Sequence, residues 1–255
     1  MSISPVLTKA LGFDRIRDLV DCFRHETANS VHQNVRTVEL CGAILISIVP
    51  CISFSWFKDR SDVDFVTFAV GLAACLAVLY RVRLGIRFPS VGSWKETLKH
   101  VHTAFALGCI PFVFLSLLFP ELFSSVVAHK DAATSVPGVE QTPSLAATIS
   151  FVLGVAVWAG LTEEIIYRGL LVSVLRRWEY ISTQFYRDLF AIVVSAMIFG
   201  FGHLALWGPG MALALVGLGL GFGFAYIAIG EKLLPLVVYH ILFDTVSLSV
   251  SIFVL

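Results

Sequence analysis

Runs of about twenty apolar residues recur along most of this chain and restrict the folds open to it. A helix needs about 20 mostly apolar residues to cross the hydrocarbon core of a bilayer. The 255 residues are 57% hydrophobic and 14% charged, whereas a soluble domain carries about 25% charged residues. We therefore predict an all-α, polytopic transmembrane bundle of about seven spans. The predicted spans are 40–57, 65–80, 101–127, 146–175, 189–206, 211–230 and 236–255.

The polar stretches divide the chain into three predicted parts. Residues 1–39 are an N-terminal cytoplasmic or interfacial segment, 40–145 are the N-terminal transmembrane helices and loops, and 146–255 are a second transmembrane core. Segments 6–23 and 88–98 combine apolar residues with charges, which suits amphipathic helices on the cytoplasmic leaflet. An ordinary soluble cap on the bundle is the alternative. Residues 129–143 are expected to form an outer polar loop.

Lysine and arginine residues indicate the orientation. Fourteen of them fall on the side of the N-terminus and three on the opposite side, and cytoplasmic loops carry the excess of positive charge. We expect the N-terminus to lie in the cytoplasm, in a bacterial cytoplasmic membrane. The first 38 residues show no signal-peptide pattern, so the first span is expected to insert itself. The net charge is zero and the charges are dispersed, which excludes nucleic acid as an expected partner.

Six ionisable residues lie inside the apolar runs beyond residue 150, on three different predicted spans. Charged side chains cost roughly 2.5–3.5 kcal/mol each at a helix centre on insertion scales. They persist in a membrane protein when they meet one another in the bundle interior, so these residues define a candidate site. They are Glu163, Glu164, Arg168, His203, His240 and Asp244.

Their spacing predicts particular pairs. Glu164 and Arg168 are four residues apart and can pair on one helix face, either as structural support or within a site. Glu163 is turned about 100° from Glu164 around the helix, so it is outside this pair and available for another role. Asp244 is four residues after His240, so its carboxylate can fix the imidazole tautomer.

Small residues and cysteines are assigned to packing. Gly217 with Gly221, and Gly219 with Gly223, form two rows at the four-residue spacing that allows helices to approach closely. The five cysteines show no CxxC spacing, and we interpret them as small hydrophobic residues.

The residue types limit the chemistry. The sequence contains no HExxH zinc-helix motif, no GxSxG-like nucleophile and no pair of membrane aspartates. It does contain a glutamate able to take a proton from water, and histidines able to hold an oxyanion or a metal. This combination favours hydrolysis without a protein nucleophile.

Three motifs occur in order on successive predicted spans. EEIIYR fits EExxxR, FGFGH fits FxxxH and HILFD fits HxxxN/D. Residues 146–250 thereby resemble the CAAX-protease and bacteriocin-processing family (CPBP, or Abi), whose members are intramembrane endopeptidases related to the prenyl-protein endopeptidase. The first 145 residues resemble the family only in being helical and apolar.

The resemblance implies a role for each motif residue. Glu163 would activate water with the help of His203, and His240 and Asp244 would stabilise the oxyanion. Glu164 and Arg168 would support the site. The prenyl-protein proteases have Asn at the last position. An ionised Asp244 would repel an oxyanion, so it must be protonated, orient His240 or bind a metal.

The resemblance and the residues together predict an intramembrane endopeptidase that hydrolyses a membrane-associated or cytoplasm-presented peptide or protein, lipidated or not. No cofactor is required in the favoured mechanism. A zinc ion held by Glu163, His203 and His240 is the metalloprotease-like alternative. The alternative functions are a transporter or proton or metal relay that uses the same cluster, and a non-catalytic scaffold.

Overall fold

A computed structural model describes residues 13–29, 35–56, 63–90, 92–120 and 145–253. In these ranges the chain is helical apart from short connections and one isolated bridge, between Val35 and Trp178. The all-α prediction is confirmed. The helices are α1 (Phe13–Asn29), α2 (Thr37–Trp56), α3 (Val63–Arg83), α4 (Trp94–Leu118), α5 (Leu145–Glu163), a π-segment (Glu164–Val172), α6 (Ser173–Leu175), α7 (Gln184–Gly202), α8 (Leu204–Ala228) and α9 (Leu233–Phe253).

Six of the described helices are long and apolar enough to cross a membrane, which is the architecture of an integral membrane protein. Helix α2 is apolar over the shorter stretch Thr37–Ser53 and corresponds to the first predicted span. The remaining predicted spans each coincide with one of the six. The end of the third predicted span and the predicted outer loop 129–143 lie outside the described residues. The six candidate spans are Phe65–Arg83, Trp94–Leu118, Thr148–Leu175, Gln184–Gly202, Leu204–Ala228 and Leu233–Val250.

The fourth predicted span is one continuous rod made of α5, the π-segment and α6. From Glu164 to Val172 the backbone adopts the wider π-helix, in which N–H groups bond to carbonyls five residues back rather than four. The EExxxR motif lies at the start of this segment. π-Helical turns are rare and frequently mark functional sites, so this backbone feature draws attention to the same residues as the motif.

Helix α8 packs closely against two other helices through its glycines. Gly217 and Gly221 lie against the backbone of α4 at Gly108, while Gly219 and Gly223 lie against α7. A Cβ atom on Gly217 would approach the Gly108 carbonyl oxygen to 2.8 Å. The prediction that both glycine rows serve helix packing is confirmed.

Helix α1 packs on the bundle through its apolar face. Leu19 is fully buried and Phe23 is nearly so, and the Phe23 ring stacks on Phe224 of α8 with the centroids 4.3 Å apart. The described part of segment 6–23 is therefore helical as predicted, and its apolar side covers protein. This arrangement is the cap that the sequence offered as the alternative to a helix lying on lipid.

The prediction of a second interfacial helix at residues 88–98 is wrong. The described residues between α3 and α4 are not helical, and α4 begins at Trp94 and continues into the bundle. Ser93 explains this start, because its hydroxyl oxygen accepts a hydrogen bond from the Glu96 backbone N–H at 3.5 Å. Ser93-x-x-Glu96 is a capping-box pattern, so Trp94 and Lys95 belong to the first turn of a spanning helix.

Three arginines near helix ends are buried in ion pairs, which we call the arginine network. Arg176 pairs with Asp188 at 3.0 Å and with Glu231 at 2.8 Å. Arg177 reaches Glu231 at 2.9 Å, and Arg81 lies 3.7 Å from it. The network joins α3, the end of α6, the start of α7 and the α8–α9 turn. Their burial means that these arginines hold the bundle together at this end.

The glycine contact between α4 and α8 gives a test of the packing. Gly221→Ala should lower the free energy of unfolding by about 1–3 kcal/mol, the usual cost of overpacking. The reason is that the new Cβ would meet the Ala104 carbonyl oxygen at 2.5 Å. The melting temperature in detergent measures this. Gly154→Ala is the matched control, since a Cβ there meets no atom within 4 Å. Equal melting temperatures for the two variants would contradict the close contact.

Candidate active site

Glu163 occupies the centre of the polar cluster. It is the last residue of α5, directly before the π-segment, and its side chain is 14% exposed. One carboxylate oxygen, Oε1, lies 3.5 Å from Nε2 of His203, and the other, Oε2, lies 3.8 Å from Nε2 of His240. Glu163 ends α5, His203 lies between α7 and α8, and His240 is on α9. Both distances exceed a normal hydrogen bond, and a water that contacts the atoms of either pair would lie beside the line that joins them.

His203 lies between α7 and α8 rather than inside a helix. Its Nδ1 is 2.8 Å from the carbonyl oxygen of Phe199. A carbonyl only accepts hydrogen bonds, so Nδ1 carries a proton and donates it. Nε2, the other nitrogen, faces Glu163. The helix end therefore fixes the tautomer and turns the second nitrogen toward the glutamate.

His240 is held by Glu164. Its Nδ1 lies 2.9 Å from Glu164 Oε1, and the imidazole stacks on the Phe222 ring with centroids 5.4 Å apart and planes 21° apart. An ionised carboxylate accepts only, so Nδ1 is the donor. Nε2 of His240 consequently faces Glu163, as Nε2 of His203 does.

Arg168 pairs with the same oxygen of Glu164. Nη1 of Arg168 donates to Oε1 at 2.8 Å, and both side chains are fully buried. The guanidinium lies 4.8 Å above the Phe199 ring and 5.2 Å from the Phe222 ring, distances at which cation–π attraction operates. The predicted Glu164–Arg168 pair is confirmed.

The Glu164–Arg168 pair does not satisfy all the polar atoms of the two side chains. Among the described residues, Oε2 of Glu164 and Nε and Nη2 of Arg168 are buried without a hydrogen-bond partner. Buried polar groups of this kind are usually satisfied by ordered water.

Asp244 lies at the edge of the cluster. Its Oδ2 is 3.5 Å from His240 Nε2, and its side chain is 20% exposed. The spacing predicted that Asp244 would fix the imidazole tautomer, but Glu164 makes the short hydrogen bond to the ring. Asp244 instead approaches the nitrogen that also faces Glu163. The i, i+4 rule found the neighbour on the same helix and could not see the carboxylate on another.

The structure brings all six sequence-predicted residues together. Sequence reasoning missed Phe222, which the glycine-rich run GLGLGFGF concealed, although an aromatic residue among glycines was a visible signal. Among the residues that the structure describes, no three His, Cys, Asp or Glu side chains form a metal-ligand group. Glu163 faces each imidazole with a different oxygen.

Comparison with known proteins relates the second part of the chain to a known family. The family model for type II CAAX prenyl endopeptidase Rce1-like proteins matches residues 145–246. This range contains all six site residues, and the resemblance carried by the three motifs is confirmed. Residues 145–246 are therefore similar to the domain of CAAX-type intramembrane proteases that this family model describes. Comparison with curated proteins and with solved structures gave no match.

Breaking the buried ion pair should be costly. Arg168→Ala leaves Glu164 buried without its cation, and the loss of one partner of a buried pair typically costs about 3–5 kcal/mol. We expect a lower yield and melting temperature as well as lower activity. Lys99→Ala, which removes the cation of an exposed pair with Glu96, is the control and should behave as wild type. A fully stable Arg168→Ala protein would contradict a supporting role.

Proposed function

We propose that the protein is an intramembrane endopeptidase in which Glu163 activates the water that attacks the peptide bond. The supporting observation is the placement of one carboxylate between two imidazole nitrogens, on a residue that is neither fully buried nor open to solvent. A general base must lie within hydrogen-bond reach of the proton that it takes, directly or through one water. The match of residues 145–246 to the Rce1-like family model supports the reaction class.

His203 is proposed to orient this water. With Nδ1 donating to Phe199, neutral His203 presents a lone pair at Nε2, 3.5 Å from Glu163. A lone pair facing a carboxylate oxygen is repulsive unless a proton lies between them. A water that donates one O–H to Nε2 of His203 and the other to Glu163 removes this repulsion. The pair therefore holds the nucleophile while Glu163 removes its proton.

His240 is proposed to stabilise the oxyanion. Nδ1 is already used in the hydrogen bond to Glu164, so only Nε2 can meet the developing charge. The imidazolium form donates from both nitrogens, and the carboxylate of Glu164, which accepts from Nδ1, stabilises that form. Donors fixed in place before the reaction cost no reorganisation when charge develops.

The substrate is proposed to be a membrane-associated or cytoplasm-presented peptide or protein, lipidated or not. The lipid bilayer is the expected surrounding, since the described spans expose many large apolar side chains. We further propose that the N-terminus is cytoplasmic, in a bacterial cytoplasmic membrane. Arg81, Arg176 and Arg177 are buried in ion pairs and do not count as loop charges. The remaining lysines and arginines still lie mostly on the side of the N-terminus.

The central test is Glu163→Gln. The amide is close in size to the carboxylate but cannot accept the proton, so we expect a folded, inserted protein that no longer cleaves. Cleavage of a prenylated CAAX peptide and of an unlipidated peptide library in proteoliposomes measures this. Glu179→Gln, at an exposed glutamate outside the cluster, is the control and should cleave as wild type.

Two outcomes would contradict the assignment. Substantial turnover by Glu163→Gln would remove its role as base. Absence of cleavage by the wild-type protein, together with proton or metal-ion flux in the same liposomes, would favour the relay function.

A second test separates the metal-free mechanism from the zinc alternative. Asp244→Asn removes an anionic oxygen 3.5 Å from the nitrogen proposed to bind the oxyanion. In the metal-free mechanism we expect cleavage at neutral pH to persist or increase, because the amide no longer opposes the negative charge. The pH profile of kcat/KM for both proteins measures this. One tightly held zinc per active chain by elemental analysis, lost together with activity on chelation, would contradict it.

A further inference from the structure

The side chain of Arg81 reaches into the region that the Rce1-like family model matches, from a helix outside it. Arg81 is on α3, beyond the matched range 145–246, and is 1% exposed. Its Nη1 donates to the Gly169 carbonyl oxygen, to Ser173 Oγ at 2.7 Å and to Tyr226 Oη at 2.9 Å. Nη2 donates to the carbonyl oxygen of Arg87 at 2.7 Å. One guanidinium thus connects the α3–α4 turn, the π-segment and α8.

Two of these contacts lie where the π-segment returns to the α-helix. In an α-register Ser173 N–H would donate to the carbonyl of Gly169, and in a π-register to that of Arg168. Where the π-register ends at Val172 and the α-register follows, the Leu170 carbonyl accepts a backbone N–H, and the Gly169 carbonyl is the one that the change of register passes over. The carbonyls of Arg168 and Gly169 accept side-chain donors, namely Ser173 Oγ at 3.3 Å and the guanidinium of Arg81. Buried carbonyls need such partners, so these donors stabilise the change of register.

The register decides where the two glutamates point. The π-segment begins at Glu164 and directly follows Glu163, and each of its hydrogen-bonded turns holds one residue more than an α-turn. Its far end is tied by the arginine network. A return to α-register would therefore rotate the helix at its Glu163–Glu164 end. Both glutamates would turn away from His203 and His240, which other parts of the bundle hold in place.

We propose that Arg81 is a positioning residue that maintains the π-register on which the site depends. The N-terminal helices, which lie outside the family match, would then contribute directly to the geometry of the active site. The proposal rests on the proposed function for its effect on catalysis, whereas its effect on the backbone stands independently.

The experiment uses the full-length protein in nanodiscs and compares Arg81→Met with Arg83→Met. Arg83 lies on the same helix and is exposed, so its variant controls for the loss of one positive charge from α3. Three quantities are measured. They are the hydrogen–deuterium exchange of amides 164–175 without substrate, the imidazole ¹⁵N signals of His240 (assigned with His240→Gln), and kcat and KM on a cleaved peptide.

For Arg81→Met we expect faster exchange confined to amides 164–175 and a shifted His240 signal. We expect kcat to fall about 100-fold, the loss typical of a catalytic group displaced by an ångström, with KM little changed. Arg83→Met should match wild type in all three. Unchanged exchange and an unchanged His240 signal in Arg81→Met would overturn the proposal, as would faster exchange spread evenly over every helix.

Two further results keep the conclusions separate. If the wild-type protein cleaves nothing, the proposed function fails, and the exchange and ¹⁵N measurements still decide the role of Arg81. If Arg81→Met does not fold, Tyr226→Phe and Arg81→Lys replace it, since each keeps the charge while removing part of the donor–acceptor set. Wild-type exchange of amides 164–175 in both would overturn the proposal.

Discussion

The carboxylate of Glu164 is the group on which the site geometry depends. One of its oxygens accepts from both Arg168 and His240, inside a bundle where the side chain has no exposed surface. A buried ionised carboxylate is costly unless it is paired, and this one is paired to a cation and to an imidazole. The same contacts that stabilise Glu164 also hold His240 against Glu163. The same oxygen atom of Glu164 therefore accepts from the structural partner Arg168 and from the site residue His240. A change to either partner affects both the stability of the pair and the position of the imidazole.

Two aromatic rings complete this arrangement without a hydrogen bond. Phe199 and Phe222 both lie within cation–π distance of Arg168. Each also contacts one histidine, Phe199 beside His203 and Phe222 against His240. The rings place apolar surface beside the ion pair, and a low dielectric constant strengthens its electrostatic attraction. They also tie α7 and α8 to the π-segment, so that helix packing and imidazole orientation depend on one another.

The arginine network organises the opposite end of the rod formed by α5, the π-segment and α6. Glu231 has a left-handed backbone, with φ of 59°, which is uncommon for a residue with a side chain. Its carboxylate accepts from Arg176 and Arg177, and these contacts hold that turn in place. The glutamate cluster and this network are thus anchored to one helical rod, with the π-segment between them.

Much of the site could be predicted because its residues are chemically out of place in apolar spans. Glu163, His203 and His240 stood out for this reason, and the EExxxR spacing correctly predicted the pair of Glu164 with Arg168. The partner of His240 was assigned to Asp244, because spacing along one helix cannot rank a carboxylate on another. Phe222 and Arg81 were missed, since a phenylalanine in a membrane helix and an arginine near a helix end are both ordinary.

By itself, the sequence determined the class of fold, the approximate spans, the packing role of the glycine rows and the identity of the polar cluster. These follow from hydropathy, residue size and spacing, which are local properties. Only the tertiary structure decided that segment 164–172 is π-helical, that His203 lies at a helix junction, and that Glu164 rather than Asp244 holds His240. These features depend on contacts between helices distant in sequence, where side-chain donors supplied by one helix set the backbone register of another.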